Sequence, residues 1–113
     1  MSKSVALFAL LVMSAVSTMS TASASEPPEV QLVIRDHRFV PAELKVPANT
    51  KIKLMVVNQD VTPEEFESHE LNREKVVTGR ATIPVYVGPL KPGRYPFFGD
   101  FHAETAQGAL IAE

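Results

Sequence analysis

The chain has 113 residues, with 11 Lys and Arg against 13 Asp and Glu, and it contains no Cys. The slight acidic excess argues against nucleic acid as a partner. The absence of Cys excludes disulfide bonds and thiolate metal sites. A chain of this length has room for one small domain, so its stability must come from a single hydrophobic core, helped at most by a metal.

The first 24 residues have the order of a secretory signal peptide. Lys3 precedes an apolar run from Val5 to Val16, and small residues follow up to Ala22-Ser23-Ala24. The run is short and is interrupted by Ser, which is unfavourable for a membrane span, although an uncleaved anchor is the alternative. We therefore expect cleavage before Ser25, export to the periplasm, and no membrane insertion of the remaining domain, residues 25–113.

Removal of the leader changes the charge and the sulfur content of the chain. Lys3 is the only charged residue lost, so the formal net charge goes from −2 to −3. Three of the four Met residues also lie in the leader, which leaves only Met55. A domain without a cluster of soft sulfur ligands is not suited to a Cu(I)-selective site.

Short runs of alternating apolar residues, separated by Pro, Gly and Asn, predict β-strands in the rest of the chain. Pro84 and Pro96 are expected at sheet edges, bulges or strand starts. Seven or eight short strands with frequent turns predict an all-β fold, a Greek-key β-sandwich. The clearest runs are Val30 to Ile34, Leu44 to Val46, Lys51 to Asn58, Ala81 to Val87, Gly93 to Phe98 and Ala109 to Ala112.

The segment after Asn58 does not fit a single pattern. Thr62-Pro63-Glu64-Glu65 has the form of a helix start, with a Thr N-cap and Pro in the first turn. The apolar residues around it, Val61, Phe66, Leu71 and Val76, are five apart and make no helical face. We expect a short helical turn or loop near residues 62–75, with an extended stretch around Phe66 to His69.

Two carboxylate-x-His pairs are the candidate metal ligands. Alternation in an extended chain places Glu67 and His69 on one side, and it does the same for Asp100 and His102 if that segment is extended. Each pair alone is typical of solvated polar residues. Carboxylate and imidazole together suit iron, Cu(II), Mn or Zn better than Cu(I).

Neighbouring residues extend this set or compete with it. Glu65 shares the face of Glu67 in an extended chain, and Glu74 follows in the same acidic segment, so both are secondary candidate ligands. Arg73 lies close enough in sequence to neutralise them. His37 stands between Arg35 and Arg38, and because nearby cations disfavour a cation site, we interpret it as an exposed or hydrogen-bonded residue at a strand end.

Most of the domain resembles the cupredoxin family. Residues 33–46 resemble the opening strands of that family, and residues 53–58 resemble the strand that ends in Asn before the first copper histidine. His69 stands about where that histidine would come, and His102 matches the second histidine. Gly99 occupies the position of the copper cysteine, and Ala106-Gln107 the position of the axial methionine. Blue-copper electron transfer requires a Cu–thiolate bond, so it is not expected.

Residues 65–77 and 88–102 resemble more closely the small periplasmic cupredoxin-like component of bacterial ferrous-iron uptake systems. That resemblance implies a copper or iron ion as cofactor, held by Glu67, His69, Asp100 and His102, and a role in oxidising Fe(II) to Fe(III) before transport. It implies two partners, a periplasmic iron-binding protein and an inner-membrane iron permease of the oxidase-coupled type. Whether the protein is a ferroxidase-type enzyme stays open, since a non-catalytic metal carrier and a metal-free interaction module are the alternatives.

Overall fold

The computed structural model describes residues 11–17 and 26–113. Residues 11–17 have no regular secondary structure. The predicted cleavage site between Ala24 and Ser25 lies outside the described residues, so the leader and the domain boundary stay predictions. Within the described ranges, no helix is long and apolar enough to cross a membrane.

The domain consists of β-strands, as predicted from the alternation of apolar residues. Its described part contains nine strands and one 3₁₀ turn, Asp100–His102, and no α-helix. The strands are β1 (Glu29–Arg35), β2 (Arg38–Val40), β3 (Glu43–Val46), β4 (Ile52–Asn58), β5 (Glu64–Ser68), β6 (Arg73–Val77), β7 (Thr82–Val87), β8 (Gly93–Gly99) and β9 (Gln107–Ala112).

The strands form two sheets that pack face to face. One sheet has the order β2-β1-β4-β7 and the other β3-β9-β8-β5-β6. The pairs β1–β4 and β3–β9 are parallel, and the remaining neighbours are antiparallel. Phe39 of the first sheet lies against Phe66 and Phe97 of the second, with ring centroids 6.1 and 4.8 Å apart. The predicted β-sandwich is therefore confirmed.

Strand β4 shows how alternation builds this core. Ile52, Leu54 and Val56 point inward and are fully buried, while Lys53 and Met55 between them are partly exposed. Each inward side chain removes apolar surface from water, which stabilises the sandwich by roughly 25 cal/mol per Å² buried. Both faces of the strand thus have the environment that its sequence predicts.

The segment 62–75 differs from the expected helical turn or loop. Most of it belongs to β5 and β6, which are joined by a turn over residues 69–72. Strand β5 lies between β8 and β6, where Phe66 fills the core and both strands supply hydrogen-bond partners. Tertiary pairing therefore outweighs the local helix-start signal.

The buried side chain of Asn58 shapes the loop that leads into β5. Its amide Nδ2 donates to the carbonyl oxygens of Thr62, Val77 and Thr78 at 2.9 to 3.3 Å. Its Oδ1 accepts from the backbone N–H of Asp60 at 3.0 Å. These bonds hold the end of β4, the loop and the end of β6 together, and they fix where Glu64 enters the sandwich.

Candidate metal-binding clusters

Strand β5 carries carboxylates on both of its faces. Glu64, Phe66 and Ser68 point into the sandwich, and Glu64 is only 1% exposed. Glu65 and Glu67 alternate with them and point to the outer face of the five-stranded sheet. The acidic segment therefore supplies two separate groups of side chains, one inside and one outside.

The inner group consists of His37, Glu64 and His102, which we call the His–Glu–His cluster. One potential ligand atom from each residue lies within 4.8 Å of the other two. His102 Nδ1 is 2.5 Å from Glu64 Oε2, and the imidazole rings of His37 and His102 stack with centroids 3.7 Å apart. The cluster thus brings two imidazoles and one buried carboxylate to one point.

The Glu64 carboxylate occupies the space beside Gly99. A Cβ atom at position 99 would lie 2.6 Å from Glu64 Cδ and 2.7 Å from the Cβ of Ala106, so glycine is required there. Glu64 Oε1 accepts from the backbone N–H groups of Glu65 and Phe101. A buried carboxylate is costly unless it is hydrogen-bonded, and these donors together with His102 meet that need.

His37 is positioned by a tight turn between β1 and β2. Asp36 and His37 have φ angles of 53° and 57°, the left-handed conformations that a two-residue type I′ hairpin requires. Asp60 accepts from the backbone N–H of both residues, at 2.8 and 3.0 Å. Burial opposes the charged form of Asp60, but these N–H groups and the nearby His37 and His102 outweigh burial and lower its pKa. Thr105 also donates its hydroxyl to the His37 carbonyl at 2.6 Å.

The outer group consists of Glu65, Glu67, Glu74 and Asp100, which we call the carboxylate cluster. Carboxylate oxygens of Glu65, Glu67 and Asp100 lie within 4.8 Å of one another. Glu74 on β6 is directly opposite Glu67. The close approach of the Glu74 carboxyl, burial, and the charges of Glu74, Asp100 and Glu67 raise the pKa of Glu65 to about 7.

Each cluster contains one buried polar atom without a hydrogen-bond partner. In residues 11–17 and 26–113, the buried side-chain nitrogen and oxygen atoms that lack a partner are His37 Nδ1 and Glu65 Oε1. His37 Nδ1 is 3.5 Å from an oxygen of Asp60, too far for a hydrogen bond of ordinary strength. Buried polar atoms are nearly always satisfied, so these two atoms mark places where a ligand could bind.

The four predicted primary ligands do not form a single group. Glu67 and Asp100 come together in the carboxylate cluster, with the secondary candidates Glu65 and Glu74, whereas His102 belongs to the His–Glu–His cluster. His69 is exposed at the end of β5, with its ring centroid 5.6 Å from that of Phe98, and it belongs to neither group of three. It lines the same shallow surface depression as Glu67 and Glu74.

The 3₁₀ turn explains why Asp100 and His102 separate. Their predicted common side required an extended chain, but residues 100–102 turn. Successive side chains in a 3₁₀ helix are rotated by about 120°, so residues two apart do not share a side. Asp100 therefore reaches the outer cluster, and His102 reaches Glu64 inside.

Sequence reasoning missed His37 and Glu64. Glu64 belongs to the predicted helix start, although its alternation with Phe66 and Ser68 is a signal for an inward-facing side chain. The sequence places His37 at a strand end, and the arginines beside it argue against a cation site. Its place in the β1–β2 turn brings it back over His102, a contact between residues 65 positions apart that no local pattern reveals.

Comparison with known proteins identifies the fold. A family model for the cupredoxin-like domain matches residues 5–112. An uncharacterised protein of Rickettsia prowazekii (strain Madrid E) is 54% identical over 83 residues, which make up 74% of this chain and 66% of that protein, slightly under two thirds of its length.

Two solved structures share the architecture at low sequence identity. Auracyanin A of Chloroflexus aurantiacus, described as a "blue" copper protein, has a TM-score of 0.65 at 13% identity, covering 78% of this chain and all of its own. Amicyanin of Paracoccus versutus has a TM-score of 0.58 at 17% identity, covering 81% of this chain and 86% of its own. These likenesses confirm the predicted cupredoxin-like β-sandwich.

Proposed function

Since the chain belongs to the cupredoxin-like domain family, we propose that it binds a copper or iron ion at the His–Glu–His cluster and aids the oxidation of Fe(II) to Fe(III) before iron transport. The proposed location is the periplasm. The proposed partners are a periplasmic iron-binding protein and an inner-membrane iron permease of the same uptake system. Location and partners follow from the resemblance of residues 65–77 and 88–102 and from the leader-like N-terminus.

The unpartnered His37 Nδ1 is the observation that supports metal binding most directly. This atom is buried within a side chain that is 42% exposed, and potential ligand atoms of His37, Glu64 and His102 lie within 4.8 Å of one another. A metal ion coordinated through Nδ1 would satisfy that nitrogen. The backbone hydrogen bonds to Asp60 and the contact with Thr105 already hold His37 in place, so little ordering would be needed on binding.

The donor atoms suit an oxidised rather than a reduced copper ion. Two imidazole nitrogens and a carboxylate oxygen are borderline to hard ligands, and there is no Cys to supply a thiolate. A blue-copper site is therefore excluded, while Cu(II) and iron fit the set. The chemistry that Cu(II) supplies when bound is acceptance of one electron from Fe(II), which leaves Fe(III) and Cu(I) until a partner protein or oxygen takes the electron.

A metal titration followed by an iron-oxidation assay tests this proposal. The domain of residues 25–113 is titrated with Cu(II) by calorimetry, and the rate of Fe(II) oxidation is measured with and without the copper-loaded protein. We expect one Cu(II) per chain, and we expect the His37→Ala/His102→Ala variant to bind at least tenfold more weakly. Binding without faster Fe(II) oxidation than free Cu(II) would support the carrier alternative.

Two further variants separate the possible ligand sets. His69→Ala tests the set predicted from sequence, because His69 belongs to it and not to the His–Glu–His cluster. Glu43→Gln, which removes an exposed carboxylate paired with Arg94, controls for a general change of charge. Full Cu(II) affinity in His37→Ala/His102→Ala, or loss of affinity in His69→Ala alone, would overturn the assignment to the His–Glu–His cluster.

A further inference from the structure

We propose that Glu65, Glu67, Glu74 and Asp100 form a second cation site, which binds a hard cation such as Mn(II) or Ca(II) through oxygen atoms alone and shares no ligand with the His–Glu–His cluster. This site goes beyond the proposed function, which uses nitrogen and oxygen ligands inside the sandwich. It lies on the opposite face of β5.

Strand pairing brings the four carboxylates together. Glu65 and Glu67 are two residues apart on the outer face of β5, and Glu74 is the direct cross-strand neighbour of Glu67. Asp100 follows β8, whose last residue, Gly99, pairs with Phe66 between the two glutamates. Like charges directly opposite each other in a sheet are destabilising, so this arrangement has an energetic cost without a counterion.

A buried oxygen of Glu65 indicates a bound cation independently of the clustering of the four carboxylates. Glu65 is only 8% exposed, yet its Oε1 has no hydrogen-bond partner in the described part of the chain. This oxygen belongs to a side chain whose carboxylate lies within 4.8 Å of those of Glu67 and Asp100. A cation held among the three carboxylates would satisfy it directly.

The described part of the chain does not supply a cation of its own to this cluster. Among the described residues, none of the four carboxylates forms a salt bridge. Arg73, the nearest candidate in sequence, donates its guanidinium to the backbone carbonyls of Tyr86, Leu71 and Asn72. Lys75 is adjacent to Glu74 in β6, so its side chain points to the other face of the sheet.

The chemistry of the donors selects the class of cation. Carboxylate oxygens favour Ca(II), Mn(II) and other hard ions, and they lack the nitrogen or sulfur that Cu(I) and Zn(II) sites commonly use. The two clusters therefore differ in selectivity as well as in position. Copper is expected to prefer the inner imidazoles, and Mn(II) the outer carboxylates.

Electron paramagnetic resonance with Mn(II) tests the second site, because free Mn(II) gives a six-line signal that weakens when the ion binds. We expect the wild-type domain, titrated in chelator-free buffer at pH 8, to bind one Mn(II) with a dissociation constant below about 1 mM, the weak end of protein carboxylate sites. Glu65→Gln/Glu67→Gln should bind at least tenfold more weakly. These substitutions keep the side-chain shape and remove like charges, so the fold should be retained.

Two controls define the outcome. Glu43→Gln should leave Mn(II) binding unchanged, and so should His37→Ala/His102→Ala, the variant that tests the proposed function. Wild-type protein that leaves the free Mn(II) signal intact up to about 1 mM would overturn the second site. Equal affinity in Glu65→Gln/Glu67→Gln would also overturn it, as would loss of Mn(II) binding in the histidine variant. None of these results bears on Cu(II) binding, so failure of either site is distinguishable from failure of the other.

Discussion

Position 99 and the carboxylate of Glu64 compete for one volume. A Cβ at position 99 would meet Glu64 Cδ at 2.6 Å, far inside normal contact distance. Gly99→Ala is therefore expected to push the carboxylate away from His102 and to lower the free energy of unfolding by about 1–3 kcal/mol, as overpacking does in other cores. Urea denaturation at neutral pH measures the change.

A double-mutant cycle checks the cause of that loss. If steric conflict with Glu64 is responsible, Glu64→Ala should make room for the new methyl group. The Gly99→Ala/Glu64→Ala variant should then be less destabilised than the sum of the two single variants. Strict additivity would show that the methyl group conflicts with something other than Glu64.

The unusual pKa of Glu65 makes stability depend on pH. Its pKa in the folded protein is about 7, above the ordinary value of 4.5, so the folded state holds this proton more tightly than the unfolded chain. The resulting stabilisation is present below pH 4.5 and is lost as the pH rises through 7. Glu65→Gln should therefore raise the melting temperature at pH 8 and change it less at pH 4.

Thermal unfolding in the presence of a chelator measures this effect without interference from bound metal. Glu43→Gln is the matched control, because Glu43 is exposed and lies on β3, three strands away from β5 in the same sheet. An equal change in the melting temperature of Glu65→Gln at pH 4 and pH 8 would contradict the view that the raised pKa of Glu65 causes the effect.

At the scale of elements, the β1–β2 hairpin depends on one side chain from the loop after β4. Asp60 accepts both backbone N–H groups of the turn, and Asp60→Ala removes these charge-assisted bonds. We expect a loss of about 2 kcal/mol at pH 7. Since the pKa of Asp60 is lowered below 3.8, its stabilising effect is present above that pH and disappears as the pH falls through the lower, folded value.

Denaturation curves at pH 7 and below pH 4 test the hairpin prediction. The difference in free energy of unfolding between wild type and Asp60→Ala should be smaller below pH 4 than at pH 7. Asp60→Asn keeps one acceptor oxygen and loses the charge, so its free energy of unfolding at pH 7 should lie between those of the other two proteins. A constant difference across the pH range would argue that Asp60 acts by packing alone.

The strands that could be predicted from the sequence are those in which buried and exposed residues alternate regularly. β4, with Ile52, Leu54 and Val56 inside, is the clearest case. β2 has only three residues, and β6 is mostly exposed and polar, so neither carries a readable pattern. These strands form because partner strands offer hydrogen bonds and contacts, which a single sequence does not display.

The candidate site was only partly predictable for a related reason. The carboxylates Glu67 and Asp100 were recognised by residue type and spacing, and they do come together. The meeting of His37, Glu64 and His102 depends on a left-handed turn, an inward-facing strand residue and a 3₁₀ turn. Each is a local conformation set by contacts with residues distant in sequence, so their combination could not be predicted from the sequence alone.

The molecule as a whole has the fold of solved proteins such as auracyanin A, and it contains no Cys that could supply a thiolate beside its two histidines. A side chain at position 99 would point to the space that the Glu64 carboxylate now fills, beside His37 and His102. Glu64→Ala/Gly99→Cys is therefore expected to create a two-histidine, one-thiolate site and to show an intense visible absorption band with Cu(II).

Visible absorption spectra of three proteins test this prediction. The wild type has no thiolate and should show no such band. Gly99→Cys alone should give a weak band or none, because Glu64 still occupies the volume. A folded double variant that binds Cu(II) without the band would mean that the thiolate does not reach the histidines.

Strand β5 places its two clusters back to back, since Glu64 and Glu65 are consecutive residues with opposite directions. The two side chains leave the same strand on opposite faces, so cations held on the two faces would repel each other across a single strand. Occupancy of one site is then expected to weaken binding at the other. By thermodynamic linkage, a metal bound at either site lowers the affinity of the other site by the same factor.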